Sequence, residues 1–153
     1  IALTIIRPSL IYGPNAPGNI KLLIKIINSR IPLPFKGIKN KRSLLYIGNL
    51  ISAIELIIIN DNKARQVFVL SDQETISTEQ LILKISMIRR RKLLLFKIPK
   101  IIFKLLENIP FLGYKIKQLT VNMVIDSSLI REKLNWVQPY SQNEGMKRSF
   151  LDH

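Results

Sequence analysis

The residue types best placed to do chemistry in this sequence bind anions; they do not form a set that transfers protons. Residues 14–19 form a loop of Pro, Asn, Ala and Gly directly before a helical pattern, so backbone N–H groups and a helix N-terminus face one point. Arg42 follows a basic turn and starts a predicted strand, where a guanidinium suits bidentate contacts to a pyrophosphate. Either feature alone is more often only a turn or a solvated arginine, so only their combination suggests a phosphate site.

The sequence contains no recognisable catalytic constellation. Its ten carboxylates show no spacing typical of an acid–base pair, and no serine lies in a Gly-x-Ser-x-Gly setting. No strand is followed by Gly-x-Gly-x-x-Gly, the loop that holds dinucleotide phosphates. Cysteine is absent and the single histidine is the terminal His153, which excludes thiolate chemistry and argues against a histidine base. We therefore expect binding chemistry, with no catalytic residue and no metal ligand.

The elements that must position these residues begin with the first apolar run. The apolar run at residues 2–6, which ends in β-branched residues, predicts a buried parallel strand that stops at Arg7–Pro8 and leads through the loop into a helix from Ile20. Ligands of open α/β sheets bind just past the carboxyl ends of such strands. Since residue 1 already lies in the strand pattern, we expect the back half of a larger α/β protein.

The rest of the chain alternates strands and helices in the same way. Asn49 is a predicted N-cap for a helix over 50–59, which is apolar nearly all round and therefore expected to be buried. Ser77 and Gln80 have capping-box spacing, and Trp136 is a predicted packing anchor. Further strands are predicted at 42–47, 66–70, 93–98 and 124–126, and further helices from 128 to 134 and from 141 to 150. The fold class is α/β.

The net charge of +14 favours anionic partners, although a coding bias toward lysine at surface positions explains it more simply. The charges are spread along the chain, and only residues 89–92 form a basic run, which suits the end of a helix. The apolar stripe Ile101, Ile102, Leu105 and Leu106 predicts a packed helix, with docking on a membrane surface as the alternative. No apolar run is long enough to span a bilayer.

The order and spacing of several motifs resemble one family. They are Arg7–Pro8 with Tyr12–Gly13–Pro14, then Pro17–Gly18–Asn19 before a helix, then the segment from Arg42–Ser43 to Asn49–Leu50, then Asp126–Ser127–Ser128 and Leu134–Asn135–Trp136. The chain is similar to the C-terminal half of the extended short-chain dehydrogenase/reductases, in particular the NAD-dependent nucleotide-sugar epimerases and dehydratases of the UDP-glucose 4-epimerase type. Gly48 departs from that pattern, which usually has Asp there.

The resemblance implies a fold and a set of site residues. Residues 1–153 would form the C-terminal portion of an epimerase/dehydratase domain: the last parallel strands of a Rossmann-like fold, interleaved with a small α/β substrate-binding subdomain. Pro8 would lie beside the nicotinamide of NAD. Asn19 would bind the nucleotide sugar, and Arg42 and Lys117 would bind its diphosphate.

What the resemblance places upstream also matters. The family's Gly-rich cofactor loop, its Tyr-x-x-x-Lys catalytic pair and its dimer helices lie before the region matched here, so we expect this chain to be inactive alone. The parent enzyme would use NAD to oxidise and re-reduce a UDP-sugar for cell-envelope polysaccharide synthesis. A separately encoded N-terminal half is a candidate partner, the location is cytoplasmic or membrane-peripheral, and no nucleic acid is expected. The alternatives are a basic protein that binds nucleic acid or anionic membrane, and a non-functional remnant.

Overall fold

A computed structural model describes residues 3–60, 65–99, 101–102, 105, 108 and 112–151. Within these ranges, short strands alternate with helices as the sequence predicts. In chain order they are β1 (Ile5–Pro8), β2 (Leu10–Tyr12), α1 (Asn19–Asn28), β3 (Arg42–Tyr46), α2 (Ile47–Ile59), β4 (Val67–Leu70), β5 (Thr75–Ile76), α3 (Thr78–Ile88), α4 (Leu112–Thr120), α5 (Ser128–Leu134) and α6 (Gln142–Phe150).

The first apolar stretch supplies strands to two different sheets. β1 pairs in parallel with β4, with Ile5 opposite Val67 and Pro8 opposite Leu70. β2 pairs in parallel with β3, whose other edge pairs with β5 in the antiparallel sense. Only Ser9 separates β1 from β2. The predicted first strand therefore has the wrong bounds: β1 includes Arg7–Pro8, where the prediction ends the strand, and β2 follows where a loop is predicted. The parallel pairing confirms the α/β class.

Two apolar clusters fill the space between these sheets and the helices. The larger packs α1, α3 and α6 against the β2–β3–β5 sheet, and it includes the fully buried Tyr12, Ile27, Ile82, Met146 and Phe150. The smaller packs α2 and α5 against the β1–β4 sheet. Trp136 belongs to the smaller cluster and is 3% exposed, so it is the packing anchor that the sequence predicts.

Capping boxes fix the starts of two helices. Ser77 Oγ accepts a hydrogen bond from Gln80 N, and Gln80 Oε1 accepts one from Ser77 N, as predicted. Ser141 and Glu144 form the same reciprocal pair at the start of α6. Because each box satisfies N–H groups that a helix cannot pair internally, α3 and α6 begin at defined residues.

Four local predictions are wrong. α2 begins at Ile47, so Asn49 lies inside the helix and is not its N-cap. The solvent side of α2 is apolar, with Ile58 and Ile59 largely exposed, so apolar composition does not make it buried all round. Of the predicted strand 93–98, only Leu95 forms a bridge, to Leu33. Residues 124–126 are not a strand, and the bridge to β3 comes from Met123 instead.

The predicted stripe after residue 100 is only partly described. Ile101, Ile102 and Leu105 are helical and exposed, which contradicts the expectation that they pack, and Leu106 lies outside the described residues. Within the ranges given above, no helix has the length and apolar character needed to cross a membrane.

Candidate functional site

Two of the predicted substrate residues meet at a third residue, and we call Asn19, Arg42 and Gln118 the Gln118 cluster. Asn19 is the first residue of α1, after Gly18, whose φ of 68° lies in the left-handed region. Its Nδ2 donates to Gln118 Oε1 at 3.1 Å. Arg42, the first residue of β3, donates from Nη1 to the main-chain carbonyl oxygen of Gln118. A helix start, a strand start and the last turn of α4 thus converge.

Burial makes Arg42 an unusual cation. The residue is 7% exposed, and desolvation lowers the pKa of its guanidinium, which still remains charged at neutral pH. Among the described residues its side-chain acceptor is a neutral carbonyl, and no carboxylate pairs with it. A buried charge without an opposite charge is unfavourable. An anion reaching this guanidinium would therefore be stabilised.

Asn40 holds α4 in place beside β3. Its Nδ2 donates to the carbonyl oxygens of Leu119 and Val121 at 2.9 Å and 3.2 Å, and its Oδ1 accepts from Thr78 N at 2.9 Å. The end of α4 is therefore tied both to the start of β3 and to the start of α3. Sequence reasoning missed Asn40 and Gln118 as site residues, because no spacing signals contacts between residues so far apart in the chain.

Lys117 lies next to the Gln118 cluster in the chain, whereas Pro8 lies outside the cluster. Lys117 is exposed and immediately precedes Gln118 on α4. Arg42 is therefore hydrogen-bonded to the residue next to Lys117, the other predicted diphosphate residue. Pro8 is exposed at the carboxyl end of β1, in the other sheet, and takes no part in the Gln118 cluster. Its position at a parallel strand end is where α/β sheets hold ligands. Next to it, Ser9 Oγ is buried and has no hydrogen-bond partner in the described part of the chain.

A second polar group, which we call the Asp72 cluster, comprises Asp72, Tyr12, Asn49 and the main chain of Tyr46. Asp72 follows β4 and is 2% exposed. Its carboxylate accepts from Asn49 Nδ2 at 2.7 Å, from Tyr12 Oη at 3.1 Å and from Tyr46 N at 3.2 Å. Asn49 also bonds both backbone groups of Tyr140. One carboxylate thus links both sheets, α2 and the segment before α6.

Burial shifts the pKa values of both acidic groups in the Asp72 cluster. Burial raises the pKa of Asp72, against the hydrogen bonds from Asn49, Tyr46 and Tyr12 that lower it. Burial, and next the charge of Asp72, raises the pKa of Tyr12 far above its ordinary value, so its phenol stays neutral and serves as a donor. The cluster is satisfied within the fold, and a structural role follows.

Packing beside this cluster explains Gly48. A Cβ at that position would lie 2.6 Å from Tyr46 Cε1 and 3.0 Å from Tyr140 Cε2. The two rings themselves meet edge to face at 5.4 Å between centroids. Any larger residue, including the Asp usual in the resembled family, would displace one of these rings. In the described part of the chain, no group of three or more His, Cys, Asp or Glu residues is arranged to hold a metal ion.

Comparison with known proteins relates the chain to sugar-nucleotide enzymes over nearly its whole length. It is 32% identical over 148 residues to the UDP-glucose 4-epimerase of Vibrio cholerae, a match that covers 96% of this chain and 45% of that protein. The chain is therefore similar, over nearly its whole length, to one part of that epimerase. No family model matches it. The chain spans about half the length of the curated relatives it matches, in keeping with a C-terminal half.

Solved structures of epimerases share the fold. The UDP-N-acetylglucosamine 4-epimerase of Bacillus cereus superposes with a TM-score of 0.68 at 16% identity, over 93% of this chain and 45% of that one. The UDP-glucuronic acid 4-epimerase of Bacillus cereus, in complex with UDP-glucuronic acid and NAD, gives 0.67 at 14% identity, over 98% and 44%. The chain therefore shares the α/β, Rossmann-like fold of these two structures.

Proposed function

We propose that this chain supplies the nucleotide-sugar-binding part of an NAD-dependent UDP-sugar epimerase or dehydratase. The observation that carries the proposal is the convergence of Asn19 and the buried Arg42 on one point, with no carboxylate among the described residues to pair the guanidinium. A diphosphate would supply the missing negative charge and accept from both side chains. The homology to a UDP-glucose 4-epimerase supports a UDP-sugar as the ligand.

The site residues then have separate roles. Arg42 would bind the diphosphate, Asn19 would bind the nucleotide sugar at the start of α1, and the exposed Lys117 would add a second positive charge. Pro8 would lie beside the nicotinamide through its main chain, which fits its exposed position at the carboxyl end of β1. When bound, NAD would accept and return a hydride; the residues of this chain would hold the sugar nucleotide against it.

The groups that transfer protons would come from outside this chain. We propose that residues 1–153 form the C-terminal portion of an epimerase/dehydratase domain whose cofactor loop and catalytic pair lie in a preceding segment or a separately encoded N-terminal half. The β1–β4 sheet supports this, because β4 pairs one edge of β1 and no described strand pairs the other. We expect a cytoplasmic location and no epimerase turnover by this chain alone; measurable conversion of UDP-glucose would contradict that expectation.

Replacing Arg42 tests the binding proposal directly. Arg42→Met keeps an apolar side chain of similar length in the buried position but removes the charge. We expect its affinity for UDP-glucose, measured by isothermal titration calorimetry, to fall by about tenfold or more, since charge-assisted hydrogen bonds to the diphosphate are lost. Arg65→Met is the matched control, because Arg65 is exposed on the loop before β4. Equal affinities of the wild-type chain and Arg42→Met would refute the proposed site.

A further inference from the structure

We infer that the Gln118 side chain closes the proposed diphosphate site in the ligand-free chain and that the ligand binds by replacing it. The inference rests on the proposed function, since it concerns the same site. Both side chains assigned to the nucleotide sugar are hydrogen-bonded to this one residue: Asn19 to its Oε1 at 3.1 Å and Arg42 to its main-chain oxygen. Gln118 is thus placed where a diphosphate would have to make its contacts.

The chemistry of the two contacts matches that of the proposed ligand. A phosphate offers several oxygens that accept hydrogen bonds, and Gln118 offers two acceptor oxygens, one on the side chain and one on the main chain. Asn19 Nδ2 and Arg42 Nη1 therefore donate to carbonyl oxygens that stand in for phosphate oxygens. A neutral carbonyl is a poorer partner for a buried guanidinium than an anion is, so addition of a phosphate to the free N–H groups of Arg42 is favoured.

The two contacts differ in how easily they open. The end of α4 is anchored by Asn40, which bonds the carbonyl oxygens of Leu119 and Val121, so the main-chain oxygen of Gln118 is held in place. The bond from Asn19 to the Gln118 side chain is exposed. Arg42 has five N–H donors and can keep the main-chain oxygen while it adds a phosphate. Opening then requires only that the Gln118 side chain rotate away from Asn19.

The sign of the expected effect separates this role from a purely structural one. Gln118→Ala removes the competing acceptor, so Asn19 is free and affinity for UDP-glucose should rise by about two- to tenfold, the range expected for one exposed hydrogen bond. Gln118→Glu keeps an acceptor for Asn19 and places a negative charge where the diphosphate binds, so affinity should fall. If Gln118 merely held the site together, both variants would weaken binding.

The experiment titrates UDP-glucose into the wild-type chain, Gln118→Ala and Gln118→Glu by calorimetry. Tyr114→Ala is the control, since Tyr114 is exposed on the same helix, and it should bind as the wild type does. In parallel, the side-chain amide resonances of Asn19 are followed by 15N NMR. In the wild type these resonances are those of an amide bonded to Gln118, and adding UDP-glucose should shift them. In Gln118→Ala, which lacks that bond, they should already be shifted before any ligand is added.

The outcomes distinguish the two proposals. If UDP-glucose binding depends on Arg42 but Gln118→Ala binds no more tightly than the wild type, the closing role is wrong and the proposed function stands. If the wild type binds too weakly to measure while Gln118→Ala binds, the closing role is supported. If neither binds UDP-glucose, both proposals are overturned.

Discussion

The Gln118 cluster and the Asp72 cluster bury charges of opposite sign, and the two charges differ in their hydrogen-bond partners. Asp72 is 2% exposed and accepts hydrogen bonds from a phenol, an amide and a backbone N–H, so its negative charge is matched inside the fold. Arg42 is 7% exposed and donates to a neutral carbonyl. The difference teaches that a buried charge with several hydrogen-bond partners holds elements together, whereas a buried charge with a single neutral partner among the described residues is suited to a ligand.

Removing the Asp72 carboxylate should give the largest effect on stability. Asp72→Ala leaves Tyr12 Oη, one bond of Asn49 and Tyr46 N without their acceptor in a buried site. Since each unsatisfied buried group costs about 1–3 kcal/mol, we expect the free energy of unfolding to fall by about 3–5 kcal/mol. Urea denaturation followed by the fluorescence of Trp136, the single tryptophan, measures it.

Glu55→Ala is the control for this change, because Glu55 is an exposed carboxylate on α2. It should alter the free energy of unfolding by no more than about 0.5 kcal/mol. A loss in Asp72→Ala as small as that would remove the distinction between the two clusters.

The contrasting prediction concerns the stability of Arg42→Met. A buried charge that lacks a charged partner carries an uncompensated desolvation cost, which an apolar side chain of similar length does not have. We therefore expect the free energy of unfolding to stay within about 1 kcal/mol of the wild type, in the same urea titration, even though the affinity for UDP-glucose falls. A loss as large as that of Asp72→Ala would place Arg42 among the residues that hold the fold.

The smallest expected effect is a pH dependence of stability that comes from Asp72 and not from the Gln118 cluster. Burial raises the pKa of Asp72 above its ordinary value of 3.8, so the folded chain binds this proton more tightly than the unfolded chain does. Its contribution to stability is therefore present below pH 3.8 and is lost as pH rises through the folded-state pKa. Arg42 stays charged throughout, so the Gln118 cluster should add no pH dependence in this range.

The measurement is the difference in unfolding free energy between the wild type and Asp72→Asn from about pH 4 to pH 7. We expect the wild type to lose stability relative to the variant as pH rises. Hydrogen bonds from Ser128 and Ser141 lower the pKa of Asp126 and Glu144, which act in the opposite direction. Both groups are present in both proteins and cancel in the difference. A difference that is constant with pH would contradict the role of burial at Asp72.

The sequence predicts those parts of the fold that depend on local patterns. The strands at β3 and β4, the Ser77 capping box and the burial of Trp136 follow from apolar periodicity, capping chemistry and size. The boundary of α2 does not, because Asn49 has the residue type of an N-cap but finds its partners in Asp72 and Tyr140, far away in the chain. Tertiary contacts of this kind override a local preference.

The candidate site also has residues that the sequence identifies and residues that it does not. The resemblance identifies Asn19 and Arg42 by their motifs, and the structure brings them together. Gln118 has no motif around it, and its position depends on how Asn40 ties α4 to β3. The burial of Arg42 is also invisible in the sequence, since an arginine at a strand start is more often solvated. The roles of all four predicted site residues, Pro8, Asn19, Arg42 and Lys117, remain predictions.

The division of the first apolar stretch into β1 and β2 bears on how the protein reaches its native state. β1 can pair only with β4 and β2 only with β3, and each partner strand comes later in the chain. At least one whole helix lies between each strand and its parallel partner. Contacts between residues so distant in the chain form slowly, because closing the long loop between them costs conformational entropy before the contacts stabilise the chain. Until then the apolar residues of both strands are unpaired, so we expect this stretch to be the part of the nascent chain most prone to aggregation.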